Sequence, residues 1–187
     1  MLVRHGETEW SRAGRHTGWT DVPLTDVGRA QARALGDLLR GRNFASVLTS
    51  PLQRAAETCR LAGYGDSAEI IDELREWDYG AYEGRTTPDI RRDVPGWTVW
   101  THGVVGGESI GKVASRADAV IERVRDGEGN VALFAHGHVL RILAARWCDL
   151  DATAARHFML NTATISILAY ERETPAIRSW NEGRRLE

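Results

Sequence analysis

The sequence predicts an α/β fold in which a largely parallel sheet carries helices on both faces. Short apolar runs alternate with amphipathic segments along the chain, and no segment repeats with a fixed period. The length of 187 residues suits one compact domain. We therefore expect a single domain over residues 1–187, with ligands bound beyond the carboxyl ends of its parallel strands.

The first half of the chain predicts three strands and two helices. Leu2-Val3 ends an apolar strand, and apolar residues recur at helical spacing from the N-cap Thr25 to Gly41. Residues 44–49 are typical of a short buried strand, and a second helix opens at Pro51 and runs to Gly63. Ile70-Ile71 predicts a third, brief strand.

The second half repeats this alternation. Residues 108–125 form the clearest amphipathic pattern in the chain, and the apolar run Val131 to Ala135 follows as a strand. A helix is predicted from His138 to Trp147. The chain then ends in a predicted hairpin, with strands Thr164–Tyr170 and Ala176–Trp180 around Glu173-Thr174-Pro175.

Charge and composition exclude several function classes. With 24 Lys+Arg against 26 Asp+Glu the formal net charge is -2, so no global field favours nucleic acid or an anionic membrane. The apolar runs are far shorter than the roughly 20 residues that span a bilayer, and no leader pattern opens the chain. Cys59 and Cys148 lie outside any CxxC motif and suit the core. We expect a soluble, cytoplasmic protein without disulfides.

Charged and imidazole side chains cluster just after the predicted strands. Each alone has an ordinary explanation, since such residues usually lie on the surface or bond to backbone. Together, cationic groups around a neutral imidazole fit a tetrahedral dianion, because arginine pairs with phosphate oxygens in a fixed fork. The set predicts a phosphate site, and it consists of Arg4, His5, Arg54, Glu76 and His136.

Motifs typical of one enzyme family follow each other in order over most of the chain. They are Leu2-Val3-Arg4-His5-Gly6-Glu7-Thr8-Glu9-Trp10, Gly18-Trp19-Thr20-Asp21-Val22-Pro23-Leu24-Thr25, Ser50-Pro51-Leu52-Gln53-Arg54-Ala55, Leu74-Arg75-Glu76, Tyr82-Glu83-Gly84, Gly107-Glu108-Ser109 and His136-Gly137-His138. Through them the chain resembles the histidine phosphatase superfamily, also called phosphoglycerate mutase-like. The resemblance implies a three-layer α/β/α sandwich and a phosphoenzyme mechanism.

The resemblance also implies a role for each residue at the strand ends. His5 would be the nucleophile, and the positive charge of Arg4 and Arg54 would oppose its protonation. Arg4, Arg54 and His136 would hold the phosphoryl oxygens in the transition state. Glu76 would protonate the leaving oxygen and then activate the water that hydrolyses phosphohistidine.

Further substrate-binding residues are predicted around this set. Ser11, Thr17 and Gly18 lie in the loop after His5 and could offer hydroxyl or backbone donors to phosphate, although many family members carry Asn at the place of Ser11. His102 lies near the predicted site. Arg141, one helical turn beyond His138, could hold a second phosphate or lie on the surface.

No metal or other cofactor is expected. The histidines 5, 136 and 138 invite a metal hypothesis, since residues two apart on a strand share a face. No acidic pair at recognisable spacing completes such a site. His138 could instead begin the following helix or support His136.

Three function classes remain open: a phosphatase, a phosphoglycerate-type mutase and a non-catalytic phosphate-binding module. The binding module is disfavoured because the nucleophile, the cationic groups and the acid are all present. Hydrolysis is favoured because Thr101-His102 stands where resembling mutases carry an arginine pair, and because the chain lacks the usual mutase insertions.

The expected partner is a small phosphate ester, a sugar phosphate or bisphosphate, with a homodimer as the expected assembly. The resemblance is to sedoheptulose-bisphosphatase-like and mycobacterial acid phosphatases.

Aromatic residues near the expected site suit a sugar ring or an aryl group. Burial in the core is the alternative explanation for each of them. They are Trp77, Tyr79, Tyr82, Trp97 and Trp100.

Overall fold

A six-stranded sheet forms the centre of the structure, a computed structural model that describes residues 1–125 and 127–183. The strands are β1 (Leu2–Arg4), β2 (Ser46–Thr49), β3 (Ala68–Ile70), β4 (Val131–Ala135), β5 (Ile165–Glu171) and β6 (Thr174–Glu182). Their spatial order is β3-β2-β4-β1-β5-β6. Strands β1 to β4 pair in parallel, and β5 pairs antiparallel with both β1 and β6, so the predicted α/β class is confirmed.

Helices connect these strands and cover the sheet. They are α1 (Glu9–Arg12), α2 (Asp26–Leu39), α3 (Gln53–Leu61), α4 (Thr87–Asp93), α5 (Val99–His102), α6 (Ile110–Arg125) and α7 (Gly137–Trp147). Short 3-10 turns lie at Gly65–Ser67, Asp72–Leu74, Gly80–Tyr82 and Ala152–His157. As predicted, Thr25 caps α2, because its hydroxyl accepts the Gly28 N–H.

Alternate side chains of a central strand point to opposite faces of the sheet and join different hydrophobic layers. In β1, Leu2 joins the cluster under α6 and α7, whereas Val3 joins the cluster under α2 and α3. In β4, Leu133 belongs to the first cluster and Phe134 to the second. Helices therefore cover both faces of the sheet, which gives the three-layer arrangement expected from the resemblance.

Several predicted boundaries differ from the structure at the ends of strands. β2 begins at Ser46 rather than at Phe44, whose ring packs edge-on against Tyr64 at 5.4 Å between centroids. The terminal hairpin turns at Arg172 and Glu173, with a left-handed φ of 56° at Arg172, so the turn begins one residue before the predicted one. Pro175 lies within β6, which tolerates a proline because it is the edge strand.

The segment between β3 and α6 carries elements that the sequence pattern did not predict. Turns and the short helices α4 and α5 replace regular periodicity there, and Trp77, Tyr79, Tyr82 and Trp97 are buried in the core. The core explanation is therefore correct for Trp77, Tyr82 and Trp97, whereas the buried Tyr79 also lines a pocket. Arg116 of α6 anchors the segment by donating hydrogen bonds to its backbone carbonyl oxygens.

The loop after β1 packs directly on the start of α2. A Cβ atom on Gly6 would lie 2.3 Å from the Gly28 carbonyl oxygen, and one on Gly28 would lie 2.1 Å from the Glu7 carbonyl oxygen. Both positions therefore need glycine, because the two backbones touch. This contact fixes the residues that follow the first strand.

Both cysteines are free, as predicted. Cys59 is buried in the layer under α2 and α3, where burial raises the pKa of its thiol to about 12. Cys148 lies half-buried at the end of α7. Within residues 1–125 and 127–183, no helix is both long and apolar enough to cross a membrane.

Candidate active site

The carboxyl ends of β1, β2 and β4 meet at one edge of the sheet. Arg4 is the last residue of β1 and pairs in register with Ala135, so His5 and His136 follow neighbouring strands. Their ring centroids are 5.2 Å apart. Arg54, from the first turn of α3, reaches the same place and hydrogen-bonds to His136. The structure thus brings together the residues that the strand ends indicated.

His5 is buried, and one of its two ring nitrogens is occupied. Nδ1 lies 2.6 Å from the Gly6 carbonyl oxygen, which can only accept, so Nδ1 carries the proton and Nε2 keeps its lone pair. Desolvation lowers the pKa of His5 well below 6.5, and the charges of Arg54 and Arg4 lower it further, against the Gly6 carbonyl. His5 is therefore a neutral imidazole with a free nucleophilic nitrogen.

His136 adopts the opposite tautomer. Its Nδ1 accepts a hydrogen bond from Nε of Arg54 at 3.1 Å, so Nε2 carries the proton and donates to the Ser50 hydroxyl at 2.7 Å. Desolvation, followed by the charges of Arg54 and His5, lowers its pKa well below 6.5. The centre of the site therefore holds two neutral histidines.

Arg54 is fully buried, and none of its hydrogen-bond partners is a carboxylate. Besides His136, its guanidinium donates to the carbonyl oxygens of Thr20 at 3.1 Å, Gly18 at 2.8 Å and Thr17 at 3.3 Å. Burial lowers its pKa, but an arginine stays charged in proteins. A positive charge is thus held in the site without direct neutralisation.

Arg4 supplies a second cation on the other side of His5. One of its terminal nitrogens donates to the Leu160 carbonyl oxygen, and its Nε is buried without a partner among the residues that the structure describes. Burial lowers its pKa, whereas Glu76 opposes the shift. The charges of both arginines act on His5 and lower its pKa.

The carboxylate of Glu76 is held by three backbone N–H groups. Oε1 accepts from Trp77 and Val139, and Oε2 accepts from His138, each at 2.9 Å. Two of these donors belong to the first turn of α7, where amides have no partner within the helix and the helix dipole favours a negative charge. The orientation of Glu76 at the pocket wall is therefore fixed.

An ion pair on α6 supports the segment that carries Glu76. Arg116 contacts Glu108 at 2.8 Å and donates to the carbonyl oxygens of Glu73 and Arg75. Glu108 in turn accepts from the Asp78 backbone N–H at 3.1 Å. Irregular backbone around Glu76 is thereby held on both sides.

A pocket of about 200 Å³ opens over these groups. Three arginines and three histidines face a single carboxylate in its lining, so the pocket favours an anionic ligand although the chain as a whole is slightly acidic. Its lining comprises Arg4, His5, Ser11, Gly14, Arg15, His16, Thr17, Glu76, Tyr79, Gly137, His138, Arg141 and Leu160.

The predicted residues of the loop after His5 support the site in different ways. Ser11 lines the pocket, but its hydroxyl accepts from the Thr8 N–H and donates to the Thr8 carbonyl oxygen. Thr17 also lines the pocket. The Gly18 N–H donates to Glu83 at 3.2 Å and its carbonyl oxygen holds Arg54, so Gly18 positions Arg54 rather than facing the pocket.

Four predicted residues are not part of the pocket lining. Gly18, Arg54 and His136 are buried, and His102 also lies outside the lining. It lies exposed at the end of α5, where its Nδ1 accepts from the Thr98 N–H at 3.3 Å. Arg141, in contrast, lines the pocket. Its Nε donates to the Ala155 carbonyl oxygen at 3.1 Å, and its guanidinium lies 4.7 Å from the Trp100 ring centroid.

Several pocket residues were missed by the sequence prediction. Tyr79 was considered only as an aromatic surface, and nothing in the pattern marked Arg15 or His16, apart from their position in the loop after the His5 motif. His138 lies in α7 and bonds to Glu76 and Tyr79, not to His136. Over the described part of the chain, no group of three or more histidine, cysteine or acidic residues is placed to bind a metal ion.

The fold and the cationic pocket define the class of α/β enzymes that act on phosphate groups. The chain belongs to the histidine phosphatase superfamily (branch 1), whose family model matches residues 1–183. It is 43% identical over 175 residues to an acid phosphatase of Mycobacterium tuberculosis, covering 91% of this chain and 86% of that relative. It is 35% identical over 183 residues to sedoheptulose 1,7-bisphosphatase of Saccharomyces cerevisiae, covering 80% and 67%.

A solved structure gives the same assignment. The structure of an open reading frame from Mycobacterium tuberculosis superposes with a TM-score of 0.93 at 40% identity, covering 97% of this chain and 96% of that one. The chain is therefore a phosphatase, a hydrolase acting on a phosphorylated metabolite, and the mutase alternative is less favoured.

If His5 is the nucleophile that the sequence analysis predicts, its neutral state sets the acid limit of activity. Attack needs an unprotonated Nε2, and the pKa of His5 lies well below 6.5, so we expect kcat/KM to persist as the pH falls through 6.5. The measurement is the pH profile with p-nitrophenyl phosphate, corrected for ionisation of the ester. Arg54→Gln should move the acid limb to higher pH, because it removes a charge that opposes protonation. An acid limb of the unchanged enzyme centred near 6.5 would contradict this assignment.

Proposed function

We propose that this phosphatase hydrolyses a sugar phosphate or bisphosphate through a phosphohistidine on His5. The observation that carries the proposal is the Nδ1–H bond of His5 to the Gly6 carbonyl, which leaves Nε2 free between Arg4 and Arg54. Nε2 attacks phosphorus, and the bond from phosphorus to the leaving oxygen breaks as Glu76 delivers a proton to that oxygen. Water then attacks phosphohistidine, gives its proton to Glu76, and releases phosphate.

Charge stabilisation falls to side chains of the chain itself in this proposal. Arg4 lines the pocket and offers its unpartnered Nε–H to a phosphoryl oxygen. Arg54 and His136 contribute after exchanging a present hydrogen bond, Arg54 one to a loop carbonyl oxygen and His136 the one to Ser50. Most catalysis of phosphoryl transfer is positioning and charge stabilisation, which these groups can supply. The proposal therefore includes no metal and no cofactor.

The rim of the pocket supports a substrate with more than one anionic group. Arg15 and Arg141 line the pocket in addition to Arg4. Arg141 donates to the carbonyl oxygens of residues 155 and 156, whereas surface arginines ordinarily pair with carboxylates. A second phosphate would meet these guanidinium groups. A broad specificity for phosphate monoesters is the alternative, and a screen of phosphorylated metabolites ranked by kcat/KM separates the two.

Three further expectations stay predictions. They are a single domain over residues 1–187, a cytoplasmic location and assembly into a homodimer without nucleic acid. The free thiols and the formal net charge of -2 are compatible with them. Light scattering of the purified protein tests the assembly.

His5→Ala should abolish turnover and phosphoenzyme formation together, because no neighbouring group offers an equivalent nucleophile. Rapid quenching with p-nitrophenyl phosphate, followed by intact-mass measurement, detects one acid-labile phosphoryl group on the unchanged enzyme. His157→Ala is the matched control, since His157 is exposed and outside the pocket lining. Substantial turnover by folded His5→Ala would refute the proposal.

Glu76→Gln should separate substrates by their leaving groups, because an alkoxide must be protonated as it departs and a nitrophenolate need not be. We expect a loss of roughly 10²- to 10⁴-fold on sugar phosphates and a modest loss on p-nitrophenyl phosphate. With the aryl ester an initial burst of nitrophenol should precede slow turnover, since water activation is also impaired.

Thermal melting is the control for this variant, because one side-chain oxygen that accepts backbone N–H groups becomes an NH₂ group. An equal loss on both substrates without a burst would show that Glu76 only supports the structure.

Arg141→Ala tests the second phosphate. If Arg141 binds it, KM should rise much more for bisphosphates than for monophosphates. Arg146→Ala is the matched control on the same helix, because Arg146 pairs with Asp118 and does not line the pocket. Equal effects of Arg141→Ala on both substrate classes would remove this residue from substrate recognition.

A further inference from the structure

The ring of His138 is held from several sides at the pocket wall. Its Nδ1 lies 2.5 Å from the Tyr79 hydroxyl, and its backbone N–H donates to Glu76 at 2.9 Å. The ring packs against Trp100 at 4.9 Å and edge-on to Trp77 at 6.2 Å between centroids. Its side chain is only 20% exposed. The imidazole therefore has one orientation available in this packing.

Tyr79 determines which nitrogen of His138 carries the proton. Burial, followed by the nearby charges of Glu76 and Glu83, raises the pKa of the Tyr79 hydroxyl well above 10, so it keeps its proton and donates to Nδ1. Burial, Arg141 and His16 lower the pKa of His138 well below 6.5. His138 is therefore neutral and carries its proton on Nε2.

Nε2 of His138 is the free end of this chain of contacts. In the part of the chain that the structure describes, no protein group forms a hydrogen bond with Nε2. The atom is not sealed off from solvent. The residue lines the pocket. An N–H donor is thus presented to whatever occupies the pocket.

The position of His138 assigns this donor to the leaving-group side. Its backbone N–H binds the same Glu76 oxygen that faces the ring, with Nδ1 4.0 Å from it. His16 lies next to it, with ring centroids 6.4 Å apart, and its pKa is also lowered by burial. These two neutral imidazoles add no charge of their own to this wall of the pocket, and an uncharged N–H donor suits a hydroxyl oxygen.

We propose that His138 is a specificity-determining residue whose Nε2–H donates a hydrogen bond to a hydroxyl or ether oxygen of a polyhydroxylated leaving group. Tyr79 is the positioning residue that fixes the tautomer and the ring. The proposal rests on the proposed hydrolysis of sugar phosphates at the same site. It adds the group that distinguishes a sugar from an aryl leaving group.

Two substitutions at His138 distinguish the roles of its two ring nitrogens. His138→Asn keeps an acceptor near the position of Nδ1 and loses the donor at Nε2, whereas His138→Gln places an amide N–H near Nε2. On a sugar monophosphate, kcat/KM should fall about tenfold in His138→Asn, in line with loss of one hydrogen bond, and recover in His138→Gln. On p-nitrophenyl phosphate the loss in His138→Asn should be clearly smaller than on the sugar monophosphate. His157→Gln is the control for an exposed histidine.

A spectroscopic measurement tests the tautomer without any change at His138. The ¹⁵N shifts of its ring in the unchanged enzyme should report a proton on Nε2, and Tyr79→Phe should produce a mixture of tautomers together with a partial loss on sugar phosphates. A proton on Nδ1 in the unchanged enzyme would overturn the proposal. Equal losses on both substrates, or no recovery in His138→Gln, would also overturn it.

These outcomes are distinguishable from failure of the phosphohistidine proposal. If the phosphohistidine proposal fails, His5→Ala turns over substrate. That result does not change the ratio of kcat/KM for sugar and aryl phosphates measured in the His138 variants. Melting temperatures of all variants identify any loss that comes from unfolding.

Discussion

Buried positive charge without a carboxylate partner is the constraint on which this molecule depends. Removing a cation from water costs several kcal/mol even after relaxation, and Arg54 recovers only part of this from carbonyl oxygens and His136. The same charge keeps His5 and His136 unprotonated. In the proposed mechanism a phosphate dianion supplies the counter-charge, so its binding offsets the cost of burying the cation and contributes to affinity and transition-state stabilisation.

The loop over Arg54 is organised by this charge. Its carbonyl oxygens accept from Arg54 on one side, while the N–H groups of Gly18, Trp19 and Thr20 donate to Glu83 on the other. A side chain at position 18 is excluded, because its Cβ would lie 2.0 Å from a Glu83 oxygen. Glu83 thus supports the structure by holding the loop that orients Arg54.

Sequence reasoning located the centre of the site and missed much of its wall. Arg4, His5 and His136 could be placed because short apolar runs end just before them, and parallel strands end at one edge. The wall around Tyr79 could not, since its segment has no periodicity and depends on distant groups such as the Arg116–Glu108 pair. His102 was misplaced for the same reason.

The C-terminal hairpin has a consequence for how the enzyme loses activity. Trp180 donates to the Met159 carbonyl oxygen and the Asn161 N–H donates to Asn181, so the hairpin holds the turn whose Leu160 carbonyl binds Arg4. Edge elements open more readily than a central parallel sheet, in local fluctuations well below the free energy of global unfolding. Fraying of β6 would therefore release Arg4 while the sheet stays intact, so inactivation by mild denaturant should precede the loss of helical signal.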